Sequence, residues 1–161
     1  LLRRTAYMFN IILFNPEIPP NTGNILRLAA NTNSTLHLIK PLGFDMNNNS
    51  LKRAGMDYKK DADFFIHDDL DSCLDIIKIN EIYALTKFAN KSYSNTKFKK
   101  NDCFLFGSET SGLPDFVLKK IKKENKLRIP MVKGSRSLNL SNSVAIVIYE
   151  ALRQNSFQNL L

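Results

Sequence analysis

Three polar stretches of this 161-residue chain carry residue types that could do chemistry. The first is Asn15-Pro16-Glu17-Ile18-Pro19-Pro20-Asn21-Thr22-Gly23-Asn24, a loop stiffened by prolines that leads to Arg27. Asn21 or Thr22 suits the cap of a helix, which would set Arg27 near the helix start. A guanidinium there can clamp a phosphate with two parallel N–H donors. Arg27 suits the solvent face of an amphipathic helix equally well. The second stretch is Phe106-Gly107-Ser108-Glu109-Thr110-Ser111-Gly112-Leu113-Pro114. Gly107 follows an apolar run directly, and its bare backbone would let a ligand approach closely. The third begins at Ile129-Pro130-Met131 and continues as Ser135-Arg136-Ser137-Leu138-Asn139-Leu140-Ser141-Asn142-Ser143. So polar a run belongs in a surface loop. It nevertheless flows into Val144-Ala145-Ile146-Val147-Ile148-Tyr149, apolar on nearly every side. Ser141 suits the N-cap of that helix. A polar loop pinned to the head of a buried helix is where a chain can build a site; the plainer alternative is a capped core helix behind a decorated loop.

Several chemistries are disfavoured. Gly107 and Gly112 share the outer spacing of a P-loop, but Leu113-Pro114 stand where Lys-Ser/Thr would hold a triphosphate. There is no G-x-G-x-x-G for a dinucleotide and no G-x-S-x-G for a serine hydrolase. Cys73 and Cys103 lie inside apolar runs, so no disulfide framework is expected. With only His37 and His67 beside them, both read as structural, no zinc or other metal site is expected either. A reducing cytoplasm fits that cysteine usage, and no apolar run reaches the length of a membrane span. Lysine and arginine outnumber the acids 23 to 15, for a net charge of +8. That excess suggests a polyanionic partner, above all nucleic acid. The basic residues cluster at Lys52, Arg53, Lys59 and Lys60, at Lys97, Lys99 and Lys100, and from Lys119 to Arg128. A merely solvated basic surface is the alternative.

Elements must hold these loops in place. Apolar runs at Phe9 to Phe14, Thr35 to Lys40, Asp63 to His67, Glu81 to Thr86, Asp102 to Phe106 and Lys126 to Pro130 predict strands. Helical spacing predicts helices over Asn21 to Thr32, Ser50 to Lys60, Leu70 to Lys78, Pro114 to about Lys123, and Ser141 to Gln154. Strands alternating with helices imply an α/β fold, a parallel sheet with helices on both faces. Residues 8–156 read as one domain, and residues 1–7 as a short extension or an expression remnant. In such a sheet ligands bind outside the carboxyl ends of the strands, where all three polar loops fall.

In this order the three loops resemble the three motifs of the SPOUT RNA 2′-O-methyltransferases, most of all the short TrmL type without an added RNA-binding domain. The resemblance spans Met8 to about Gln154; one departure is Ser111, where members of this group often carry Arg. The resemblance implies a fold beyond the pattern itself, an α/β knot in which the C-terminal segment is tucked through a preceding loop as a trefoil. It implies S-adenosylmethionine as cofactor, bound by backbone around Leu85, Gly107, Ile129 and Ser137, with Leu138 against the adenine. It also implies Arg27 and Tyr149 as catalytic residues, Arg136 and Asn142 as RNA contacts, no metal, and a homodimer with the last helix in its interface. The implied substrate is tRNA at its wobble nucleotide, C or U at position 34, of tRNA-Leu. Ribosomal RNA, another tRNA position, or a non-catalytic RNA-binding module are the alternatives.

Overall fold

The structure, a computed structural model, describes residues 7–55 and 63–161. Its centre is built from the most apolar runs: β1 (Asn10–Phe14), β2 (Thr35–Ile39) and β6 (Cys103–Phe106) are buried at every position. Strands covered on both faces lose the in-out alternation of a half-exposed sheet, and parallel pairing needs such cover. With β3 (Phe64–His67), β4 (Ile82–Leu85), β5 (Lys91–Ser92) and β7 (Lys126–Arg128) they form a seven-stranded sheet ordered β3-β2-β1-β6-β4-β7-β5. Every pairing is parallel.

Helices cover both faces. On one face α1 (Pro19–Asn31) and α5 (Leu140–Gln154) bury Ile25, Leu26, Ala29, Val144, Val147 and Ile148 against Ile11, Leu13 and Phe104. On the other, α3 (Leu70–Ile76) and α4 (Asp115–Leu118) bury Leu70, Cys73, Val117 and Ile121 against Ile12, Leu105 and Cys103. The remaining helix, α2 (Asn49–Gly55), packs on α1. The expected continuation of α2 to Lys60, with Lys59 and Lys60 of the basic cluster, lies outside the described residues. Among those described, no helix is long and apolar enough to cross a membrane.

Two elements differ from expectation. The helix expected from Pro114 to Lys123 is a single turn, with Pro114 as its cap rather than inside it. After Leu118 the backbone tightens to three-residue bonds, Lys120 N–H to Val117 O and Ile121 N–H to Leu118 O. The Asn125 side chain then donates to Glu81 and to the Ile82 carbonyl, turning the chain into β7 before a longer helix could form. The two-residue strand β5 has no apolar run to announce it. It exists because β7 offers it an edge, pairing Lys91 with Leu127 and Ser92 with Arg128. β7 therefore lies between β4 and β5, which are consecutive in the chain. Residues 86–90 must arch across its end, and Thr86 N–H is tied to the Leu127 carbonyl at 2.9 Å.

Candidate active site at the carboxyl ends of the central strands

The strands β1, β6, β4 and β7 are neighbours, so the loops leaving their carboxyl ends converge although they come from distant parts of the chain. Between them is a cleft of about 430 Å³, the size of a small-molecule site. Leu85 ends β4, Gly107 follows β6 and Ile129 follows β7, and all three line the cleft. Ser137 and Leu138, from the loop before α5, line it too. Apolar Leu85, Leu113, Ile129 and Leu138 offer a surface for a flat ring, while Ser108, Glu109 and Asn139 add polar groups. Lys87 and Phe88 form part of the rim, with the ammonium 5.3 Å from the ring centre and Phe88 77% exposed.

One hydrogen-bond chain joins the three loops. Pro19 and Pro20 open α1 and lack N–H groups, and its cap residue Ile18 has no side chain able to accept. The donors left at this end, Glu17 N–H and Ile18 N–H, both reach the Glu109 carboxylate of the second loop, at 2.8 and 2.9 Å. Asn21 Nδ2 donates to the same carboxylate at 3.2 Å. Its Oδ1 accepts from Asn139 Nδ2 of the third loop at 2.9 Å. Asn139 Oδ1 in turn accepts from Ser141 N–H at 2.9 Å and Asn142 N–H at 3.3 Å, capping α5. The caps thus differ from those expected. Asn139 rather than Ser141 caps α5, because the helix already begins at Leu140 and leaves Ser141 inside its first turn, where the Ser141 hydroxyl itself donates to Asn139 Oδ1. Neither Asn21 nor Thr22 caps α1, because the prolines start the helix earlier and a distant carboxylate takes the cap's place. Arg27 consequently lies well inside α1, not near its start, on an exposed face with Asn24.

Gly107 is required by the fold of its own loop, apart from any ligand that approaches it. A Cβ there would overlap the Gly112–Leu113 peptide. The second loop folds back on itself: Gly112 N–H donates to Ser108 O at 3.0 Å, and Gly112 has a φ of 65°. The glycine admits the returning loop, and the loop then presents Glu109 to α1.

Known proteins are similar to this chain. Residues 8–149 match the SpoU rRNA methylase family. A protein of Methylovorus glucosotrophus (strain SIP3-4), named tRNA (cytidine(34)-2′-O)-methyltransferase, is 47% identical, over 93% of this chain and 97% of its own. One of Yersinia pestis with the same name is 48% identical, over 96% and 98%. A solved structure described as giving structural insights into the 2-OH methylation of C/U34 on tRNA superposes with a TM-score of 0.87 at 38% identity, covering 94% of this chain and 99% of its own. This chain belongs to the SpoU methylase family.

Within this SpoU methylase the nine residues singled out in the sequence fall into two groups. Leu85, Gly107, Ile129, Ser137 and Leu138 meet in the cleft. Arg27, Arg136, Asn142 and Tyr149 are exposed and do not line it. Asn142 and Tyr149 lie two turns apart on α5, on one side of the helix as their spacing requires, and Tyr149 is 46% exposed. Ala145 and Ile146 between them are only half-buried. Sequence reasoning missed Glu109 and Asn139 as the residues that hold the loops together. The available signal was chemical: α1 begins with two prolines behind an isoleucine, so its cap had to come from elsewhere.

Proposed function

We propose that this SpoU methylase transfers a methyl group from S-adenosylmethionine to the 2′-hydroxyl of the wobble nucleotide, C or U at position 34, of a tRNA of the tRNA-Leu class. The observation that carries the reading is the cleft itself, made by three loops at adjacent strand ends and locked through Glu109, Asn21 and Asn139. Identity of 47–48% over nearly the whole length with proteins named for that reaction supports the choice of substrate.

The residues present fit the cofactor. The strand-end backbone at Leu85, Gly107 and Ile129 offers carbonyls and N–H groups to a nucleoside, and Leu138 offers an apolar face to its base. When bound, the cofactor supplies the electrophilic methyl and carries its own leaving group. The protein has to hold the ribose hydroxyl in line and help remove its proton. Positioning of that kind is worth up to ~7–11 kcal/mol. A guanidinium keeps its proton throughout the physiological range and is a poor base. Arg27 therefore serves as a planar clamp that orients a phosphate or the hydroxyl, and Tyr149 with Asn142 and Arg136 extends the RNA-facing surface. No metal takes part in this reading.

The enzyme works as a cytoplasmic homodimer. Tyr149, Ile146 and Ala145 give α5 an outward apolar stripe for a second copy, and pairing doubles a surface whose net charge is +8 per chain. The placing of β7 between β4 and β5 supports a knotted C-terminus, in which the chain after β7 passes beneath the arch of residues 86–90.

The test is transfer of labelled methyl groups to bulk tRNA, followed by nuclease digestion. Label should fall on the ribose of nucleotide 34; label on a base, or on ribosomal RNA alone, overturns the assignment. Arg27→Ala should abolish transfer and leave cofactor affinity by calorimetry nearly unchanged. Arg27→Lys should also fail, because a point charge cannot reproduce the planar fork.

A further inference from the structure

At the β3 edge of the sheet, away from the cleft, the fold assembles three side chains that methyl transfer does not use: His37 of β2, His67 at the end of β3 and Cys73 of α3. Their ligand atoms all lie within 4.8 Å of one another, and all three residues are buried. Counting two histidines and two cysteines along the chain led us to expect no metal site, because nothing in the sequence brings positions 37, 67 and 73 together.

The geometry is already close to coordination. His37 Nδ1 and His67 Nε2 are 3.0 Å apart. His37 Nε2 is 3.2 Å from Asn10 Oδ1. An amide oxygen only accepts, so His37 carries its proton on Nε2 and turns the Nδ1 lone pair toward His67 and Cys73. The Phe65 ring, stacked at 5.7 Å, holds the imidazole in that orientation. Metal–nitrogen bonds of about 2.0 Å would set two imidazole nitrogens roughly 3.4 Å apart, so the rings need to part by only ~0.4 Å. With Nε2–H turned to Asn10 and Nδ1 accepting from His67 Nε2–H, each ring carries a single proton, so the empty trio of two imidazoles and a thiol is electrically neutral.

We propose that His37, His67 and Cys73 form a binding site for a monovalent thiophilic ion, Cu⁺. Charge decides the ion. On entry the Cys73 S–H bond breaks, a Cu–S bond forms and one proton leaves to solvent, while His67 moves its proton from Nε2 to Nδ1. One positive charge replaces another, and the buried charge stays at zero. Zn²⁺ would leave a net +1 among residues no more than 9% exposed, at a cost that the trio itself does not offset. Zn²⁺ also seeks four ligands, whereas a three-ligand set of two imidazoles and one thiolate is of the kind that holds copper. His67 ends the edge strand beside the solvent-exposed Asp68, which opens a route in.

The test is an anaerobic titration of tag-free protein with Cu⁺ against the chromogenic chelator bicinchoninate. The native protein should withdraw one equivalent per chain, release one proton and develop a copper–thiolate absorption band. Cys73→Ala and His67→Gln should each lower uptake at least tenfold, while Cys103→Ala should not. Zn²⁺ offered alone should not remain bound through gel filtration. Absence of the thiolate band in native protein, undiminished uptake by either variant, or stoichiometric retention of Zn²⁺ would each overturn the proposal. The band is read on native protein, so the outcome stands even where a variant fails to fold.

Discussion

Replacing Glu109 with alanine removes one carboxylate and strips three donors at the start of α1 and just before it of their acceptor: Glu17 N–H, Ile18 N–H and Asn21 Nδ2. Loss of an N-cap costs typically ~1 kcal/mol, within a range of about 0.5–2. Loss of a negative charge from a helix N-terminus adds roughly 0.3–1 kcal/mol. Three donors lose their acceptor at once, so the cost should fall near the upper part, about 2 kcal/mol. For a chain of this length each kcal/mol shifts the melting temperature by roughly 2–4 °C, so a fall of about 4–8 °C is expected. Glu109→Gln keeps an acceptor oxygen of the same reach but loses the charge, and should cost about half as much. The Asn21–Asn139 bond depends on the same anchor, so cofactor affinity should drop with stability, by up to about tenfold or ~1.4 kcal/mol. The assay is urea unfolding followed by circular dichroism at one fixed protein concentration, because association would otherwise shift the midpoint. Calorimetric titration with S-adenosylmethionine accompanies it. If Glu109→Ala unfolds within about 0.5 kcal/mol of the native protein, the carboxylate is not the cap of α1 and the reasoning fails.

Gly107→Ala should cost about 1–3 kcal/mol by forcing the Gly112–Leu113 peptide to move, and should weaken cofactor binding with it; native stability combined with lost affinity would show instead that the ligand fills that space. Metal-free protein should lose stability as pH falls from about 6.5 to about 4. Burial, with His67 second, holds the folded His37 near 4, so the unfolded chain takes up this proton first; stability is full above about 6.5 and falls by up to ~3 kcal/mol. Urea midpoints at pH 7 and pH 4.5 measure this, and His37→Gln should flatten the difference. Tyr149→Phe, which removes one exposed hydroxyl and preserves packing, should reduce methyl transfer far less than Arg27→Ala; equal losses in the labelled-methyl assay would make Tyr149 essential.

The strands were legible because each central one is a near-continuous apolar run of about five residues, with β-branched or aromatic members, bounded by turn residues, the pattern of a strand buried on both faces. The α5 pattern was equally plain. The end of α4 and the existence of β5 were not, since the first depends on Asn125 reaching Glu81 and Ile82 and the second on an edge that β7 supplies. Leu85, Gly107 and Ile129 could be placed from the sequence at strand ends, and the resemblance to the SPOUT methyltransferases singled them out as cofactor contacts. That Gly107 answers to Gly112 and Leu113 could not, because the contact exists only after the loop has closed.

Composition and periodicity by themselves determine an α/β sheet and a basic protein, because apolar spacing and turn chemistry are local properties; the resemblance carried by the three motif loops adds the positions from which a methylase cleft would be made. Only the tertiary structure decided which loops meet. The order β1-β6-β4-β7 sets side by side strands that are remote in sequence. The bonds that unite them, Glu109 to Glu17 and Asn21 to Asn139, span 92 and 118 positions of chain. The same holds for His37, His67 and Cys73: each alone is a buried residue in a strand or helix, and strand pairing with helix packing makes them one cluster.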